Sequence, residues 1–232
     1  MTDPTSDPKS ALLEAALTHV PFDGWTEASF RAAIDDTGIG TDLARSLCPR
    51  GALDLAVAFH QRGDQAMVDR LAETDLTTLR FRDRVAAAVR FRLEAVEDKE
   101  LVRRGMTLFS LPQNSAEGAR AIWDTADKIW SALGDTSQDI NWYSKRATLS
   151  GVYSSTVLYW LGDDSPDHER TWEFLDRRIE NVMQFEKLKS QVRGNPLLKP
   201  FVAGAERFLS GIRAPGARRS DLPGHFADPQ QE

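Results

Sequence analysis

Few residues of this chain are of the types that perform chemistry, and their spacing argues against a catalytic centre. The four histidines, His19, His60, His168 and His225, fall in separate segments. None stands in a His-Glu-x-x-His or Glu-x-x-His arrangement, so neither a zinc-hydrolase nor a di-iron carboxylate pattern is present. Cys48 is the single cysteine. It excludes an intramolecular disulfide, and nothing marks it as a nucleophile. No glycine-rich loop is spaced to cradle a phosphate. The run "DDSPDHE" from Asp163 is acidic enough to invite a cation. It leads into a predicted helix, however, where caps and the macrodipole already favour acids. The expectation is no metal, no cofactor and no catalysis by this chain.

Aromatic surface is concentrated instead. The stretch "DINWYSKRATLSGVYSSTVLYWLGD", residues 139–163, holds all three tyrosines and two of the six tryptophans. Residues 147–162 carry no charge. On a helix, Trp142, Leu149, Tyr153, Thr156, Val157 and Trp160 share one face, with Ala147, Gly151, Ser154 and Leu158 opposite. A helix uncharged all round is expected at the centre of a domain. The first turn differs, because Asp139, Asn141, Trp142, Tyr143, Lys145 and Arg146 mix rings with charges that resist full burial. That composition fits a partner hot spot, and equally a capped helix start with half-buried aromatics.

The elements that must position these residues read as helices. Apolar spacing predicts helices over 9–20, ended by Pro21, and from a Thr26 cap to Gly38. A short helix capped by Thr41 follows, then a longer one within 51–73 with Gly63 as its weak point. Further helices are predicted over 81–96, 99–111, 115–133, 142–161, 167–191 and 196–212. No β-branched run alternates with polar residues and ends in a hairpin turn. The fold class is therefore all-α, with nine or ten helices in one domain. Residues 1–8 and 213–232 read as disordered tails.

Charge is distributed unevenly. The net charge of −6 gives no support to nucleic-acid binding. Residues 187–219 carry eight basic side chains against Glu206 alone, a local +7. The N-terminus has no apolar core behind a basic start, so no secretion signal is expected, and no window suits a spanning helix. A soluble cytoplasmic protein that meets an anionic surface through a basic C-terminal arm is the expectation.

Residues 10–59 resemble the N-terminal region of TetR-type regulators, through "LLEAAL", "FDGWTEAS" and a hinge around Pro49. The resemblance implies a helix-turn-helix over 9–60. Its chemistry is wrong for DNA, because residues 20–55 carry three basic side chains (Arg31, Arg45, Arg50) against six acidic ones. Duplex binding draws on phosphate neutralisation, which a net −3 surface opposes. A degenerate helix-turn-helix used as scaffold, with no DNA partner, is expected.

Residues 139–182 resemble the most characteristic segment of the lipid-binding accessory proteins of ubiquinone biosynthesis. The matching pattern is "D-x-N-W-Y-x-[KR]-R", "L-x-x-x-Y-x-x-T" and "D-x-S-P-D-x-x-x-T-W-x-F-L-x-x-R". The resemblance covers roughly residues 10–212. It implies a TetR-like homodimer that binds isoprenoid quinone intermediates and presents them to a membrane-associated di-iron hydroxylase. Carried onto this sequence, partner docking falls on Asp139, Asn141, Trp142, Tyr143 and Arg146. The lipid cavity lies within residues 61–192, with Met106, Phe109, Trp123, Trp130, Tyr153 and Met183 as its candidate wall. Core is the alternative for each wall residue. A ligand-responsive regulator of the same fold is the alternative function.

Residues 195–212 have their own logic. Leu197, Leu198, Phe201, Val202, Phe208, Leu209 and Ile212 gather on one side of a helical wheel, with Lys199, Arg207 and Arg213 elsewhere. Apolar and basic faces so arranged describe an interfacial helix. Peripheral attachment to the inner face of a bacterial membrane follows. Pro200 fits only if the regular helix starts there. Deleting residues 196–232 is expected to leave a folded protein that no longer sediments with anionic liposomes. Unchanged sedimentation would refute the membrane role.

Overall fold

The computed structural model describes residues 7–138 and 140–194, with backbone alone for Met183 and residues 185–194. Among the described residues the fold is all-α. Its nine helices are α1 (Pro8–Asp23), α2 (Glu27–Thr37), α3 (Thr41–Leu47), α4 (Ala52–Glu73), α5 (Phe81–Glu94), α6 (Lys99–Phe109), α7 (Ser115–Ala132), α8 (Ile140–Leu161) and α9 (Glu169–Gly194), with a 3-10 turn at Pro166–His168. The candidate membrane residues Leu197, Leu198, Phe201, Val202, Phe208, Leu209 and Ile212 lie outside the described residues, as does Asp139.

Local chemistry sets most helix ends. Thr26 caps α2 through a reciprocal box, its hydroxyl accepting from the Ser29 amide while its own amide donates to Ser29 Oγ. Gly38, at φ +68°, closes α2 in the left-handed conformation. Two expectations are corrected. Pro21 does not end α1, which continues to Asp23 and stops at Gly24. Proline removes one amide donor, and a helix with packed neighbours tolerates that loss near its end. Arg104 also holds the last turn, donating at 3.0 Å to the Pro21 carbonyl, one of those near the end of α1 that the helix itself leaves without a donor. Thr41 is the first helical residue of α3 rather than its cap, a place taken by Gly40 without a side-chain bond.

Two apolar clusters form the core. Leu12, Val20, Phe30 and Leu55 centre the one built by α1–α4 together with Leu101 of α6. Met67, Val89, Ile129, Tyr153 and Leu175 centre the other, drawn from α4, α5, α7, α8 and α9. Helix α4 contributes Leu55 to the first and Met67 to the second.

Helix α8 is corrected as well. Leu149, Val152, Tyr153, Thr156, Val157 and Trp160 are buried, but Gly151, Leu158 and Tyr159 on the other side are exposed, Leu158 by 59%. The helix is therefore not enclosed within the described residues. It keeps an uncharged face open instead.

Gly63 is not a weak point. A Cβ there would lie 2.5 Å from Arg92 Nη1, so the guanidinium of α5 rests directly on the α4 backbone. In an open helix Gly→Ala stabilises by about 0.5–1 kcal/mol. Gly63→Ala is instead expected to destabilise by roughly 1–3 kcal/mol, the range for overpacking, in urea denaturation. A gain in stability would show that Arg92 moves aside freely.

Candidate functional site: an apolar cavity with a polar floor

Helices α4, α5, α6, α7 and α8 enclose a cavity of about 390 Å³. Its wall includes Trp25, Ala56, Phe59, Leu93, Val96, Leu101, Val102, Met106, Phe109, Ile122, Tyr153, Val157 and Leu158. A Cβ on Gly118 would meet Phe109 Cβ at 2.8 Å, so the absence of a side chain there lets α7 close on α6 and seats the Phe109 ring. No aspartate or glutamate belongs to the wall. Exposed Ser110, Ser115, Ala119 and Leu158 mark its rim, and buried Arg92 and Tyr153 its floor.

Behind the floor lies a buried polar network. Arg92, 3% exposed, donates from Nε to Asp64 Oδ1 at 2.7 Å and from Nη2 to the His60 carbonyl at 3.1 Å. Asp64 is fully buried and also accepts from Thr125 Oγ1 at 2.9 Å and Lys128 Nζ at 3.0 Å. Burial alone would raise the Asp64 pKa, but the charges around it hold it below the ordinary value. His60 places Nε2 3.1 Å from the Ala121 carbonyl and 2.8 Å from Thr125 Oγ1. Its Nδ1 faces Arg92 Nη2 at 3.3 Å. A carbonyl only accepts and a guanidinium only donates, which fixes the proton on Nε2 and leaves the ring neutral.

A second cavity, about 230 Å³, lies on the other side of α8 among α5, α7 and α9, lined by Phe81, Val85, Trp130, Leu149 and Val152 with Asn141 and Lys145. Of the sequence candidates for one lipid wall, Met106, Phe109 and Tyr153 stand in the first cavity and Trp130 in the second. Trp123 lines neither. Met183 has no described side chain.

Trp123 belongs instead to an aromatic patch. Its ring centroid lies 5.9 Å from that of Trp142 and 6.4 Å from that of Tyr143, and Trp142 meets Tyr143 edge-on at 4.8 Å. The three rings are half-buried, and Asn141 beside them is exposed. Arg146 is not an exposed member of this face. It is 2% exposed, with its guanidinium 4.0 Å from the Trp142 ring and ion pairs to Asp127 at 2.5 Å and Asp135 at 2.9 Å. Its role is to hold Trp142 against the α7–α8 junction.

The remaining chemical candidates have structural duties. Asp163 accepts from the Thr171 amide and hydroxyl and from the Ser165 amide and hydroxyl, at 2.5–2.9 Å. Burial would raise its pKa, yet these bonds hold it well below the carboxylate range. Lys99 caps the end of α8 by donating to the carbonyls of Trp160 and Asp163. Cys48 is buried, and burial pushes its thiol pKa up. Among the described residues no three His, Cys, Asp or Glu side chains are grouped to hold a metal ion. No described helix is long and apolar enough to cross a membrane. In the helix-turn-helix region, Arg31 and Arg45 pair with Glu27, and Arg50 pairs with Asp54 and Glu117. The three basic side chains of residues 20–55 thus all face acids of this chain.

Residues 115–186, which span α7 to most of α9, match the COQ9 family model. The chain is also 32% identical to the mitochondrial ubiquinone biosynthesis protein COQ9 of Drosophila melanogaster over 206 residues, 83% of this chain and 63% of the relative. The chain is thus similar to the COQ9 family over most of its length. Identity to the COQ9 of Rattus norvegicus is 30% over 84% of the chain and 65% of the relative. For that of Homo sapiens it is 28%, over 84% and 64%. The chain thus spans somewhat less than two thirds of these COQ9 relatives. In fold it matches a TetR transcriptional regulator from Nitrosomonas europaea, with a TM-score of 0.63 at 17% identity over 77% of this chain and 99% of that one. The chain therefore has a TetR-like architecture.

The polar floor generates a pH dependence. Burial first, and Arg92 second, lower the His60 pKa from 6.5 to about 4. Between those values the unfolded chain takes up a proton that the folded protein refuses. Stability therefore falls as pH drops from about 6.5 to about 4, by roughly 3 kcal/mol in all. His60→Gln is expected to flatten this limb in urea midpoints measured from pH 4 to 7. An unchanged limb would assign it to other groups.

Proposed function

We propose that this chain is a non-catalytic lipid-binding accessory protein of ubiquinone biosynthesis, which binds isoprenoid quinone intermediates and presents them to a membrane-associated di-iron hydroxylase. The observation that carries this reading is the apolar cavity of about 390 Å³ in a chain similar to ubiquinone biosynthesis proteins. A wall built from aliphatic and aromatic side chains suits a prenyl tail, whose transfer from water is favourable by about 0.8 kcal/mol per buried CH₂. Docking of the hydroxylase is assigned to Asn141, Trp142 and Tyr143, with Arg146 supporting Trp142 from beneath. The open, uncharged face of α8 around Gly151, Leu158 and Tyr159 suits a second copy of the chain as a homodimer contact. Membrane attachment on the cytoplasmic side is assigned to residues 195–212. The ion-paired cations of the helix-turn-helix favour scaffold over operator binding.

Organic extraction of gently purified protein, followed by mass spectrometry, tests the reading. Near-stoichiometric isoprenoid quinone or precursor is expected. Bulk phospholipid alone, together with a gel shift of genomic fragments at moderate salt, would favour the regulator instead. Trp142→Ala is expected to weaken hydroxylase binding by about tenfold or more, as an interface hot spot does, with the rest of the fold intact.

A further inference from the structure

We infer that Asp135, a carboxylate hidden in the α7–α8 connection, positions the aromatic docking face by fixing the turn of α8 that carries it. The inference rests on the docking reading and adds to it a residue that never touches the partner.

The chain first has to bring Asp135 to α8. Helix α7 closes through bonds from the Leu133 amide to the Ile129 carbonyl and from the Asp135 amide to the Trp130 carbonyl, at 3.0 and 2.9 Å. Gly134 between them stands at φ +83°, a left-handed conformation that glycine adopts without strain. Beyond that turn the Asp135 side chain is 2% exposed. Its Oδ1 accepts from the Ser137 hydroxyl at 2.8 Å and from Lys145 Nζ at 2.7 Å, and its Oδ2 from Arg146 Nη1 at 2.9 Å.

One carboxylate thus grips two consecutive cations of α8. A third hold comes from Trp130 of α7, whose Nε1 donates to the Lys145 carbonyl at 3.1 Å while Lys145 Nζ lies 5.1 Å from its ring. Directional bonds to two adjacent side chains and one carbonyl fix the rotation of α8 about its own axis, which apolar packing alone leaves softer. Arg146 passes that position on. One turn back it donates to the Trp142 carbonyl at 3.2 Å, and its guanidinium lies over the Trp142 ring at 4.0 Å. Trp142 in turn meets Trp123 and Tyr143. A planar fork bonded to Asp127 and Asp135 keeps its face for the ring, an arrangement that an ammonium cannot copy. Asp135 is therefore a positioning residue. It orders the ring in advance, so that docking does not have to.

The test is a double-mutant cycle on the full chain, with hydroxylase affinity as its readout. Asp135→Asn keeps the side-chain volume and removes the charge. It is expected to weaken binding about fivefold, the scale on which one unordered side chain counts at an interface. In a Trp142→Ala background the same change should have little further effect, because both act through one ring. Additive losses, or undiminished binding by folded Asp135→Asn, would overturn the inference. The excitonic circular-dichroism couplet of the packed Trp123 and Trp142 rings gives a readout without the partner. It should shrink in Asp135→Asn with helix content unchanged, and an unchanged couplet would overturn the positioning role. Should Asp135→Asn fail to fold, Arg146→Lys keeps the charge but removes the planar face, and the same losses of affinity and couplet are expected of it. Unchanged hydroxylase affinity in Trp142→Ala alone would overturn the docking reading, while the couplet still decides the role of Asp135.

Discussion

The buried pair of Asp64 and Arg92 is the constraint on which the rest of the structure depends. Burying one charge alone is prohibitive, so each residue dictates where the other's helix must lie. Asp64 is reached by Arg92 from α5 and by Thr125 and Lys128 from α7. One carboxylate thereby sets the spacing of three helices. Apolar packing could slide by a fraction of a turn at modest cost, but a network of directional bonds cannot. The cavity stays open in front of it because the guanidinium is drawn back toward α4 instead of collapsing into the apolar space.

A TetR-like frame in a chain similar to COQ9 proteins is a reminder that a fold does not by itself fix an activity. The helix-turn-helix keeps the Thr26 capping box of α2 and its Phe30 core, which serve stability. Its cations are spent on Glu27, Asp54 and Glu117. Phosphate attraction needs unpaired positive charge at the surface, and the local acids remove it.

The sequence made some of this legible and hid the rest for physical reasons. Helix type and most ends were readable because they depend on neighbours within four residues, as at Thr26 and Gly38. Pro21 misled, since the one amide donor it removes lies close to the end of α1, whose last turn is held by Arg104 from far along the chain. The all-round uncharged pattern of α8 suggested enclosure, and pattern alone cannot say whether the cover lies within the chain. Met106, Phe109 and Tyr153 were readable as wall residues through the resemblance. Arg92 was not, because its partners His60 and Asp64 are 32 and 28 residues away. The one hint was a histidine and an aspartate four apart on the inward side of α4.

Helix α4 has a consequence for how the molecule comes apart. It runs unbroken from Ala52 to Glu73 and supplies side chains to both apolar clusters. A boundary near residue 60 therefore falls in the middle of a rigid rod, with no linker to bend. Melting the helix-turn-helix half would pull Leu55 and its neighbours out of register with Asp64 two turns on, and the buried charge would lose its setting. The two halves are thereby tied together through one rod, and the helix-turn-helix serves as the first half of the structure that shapes the cavity.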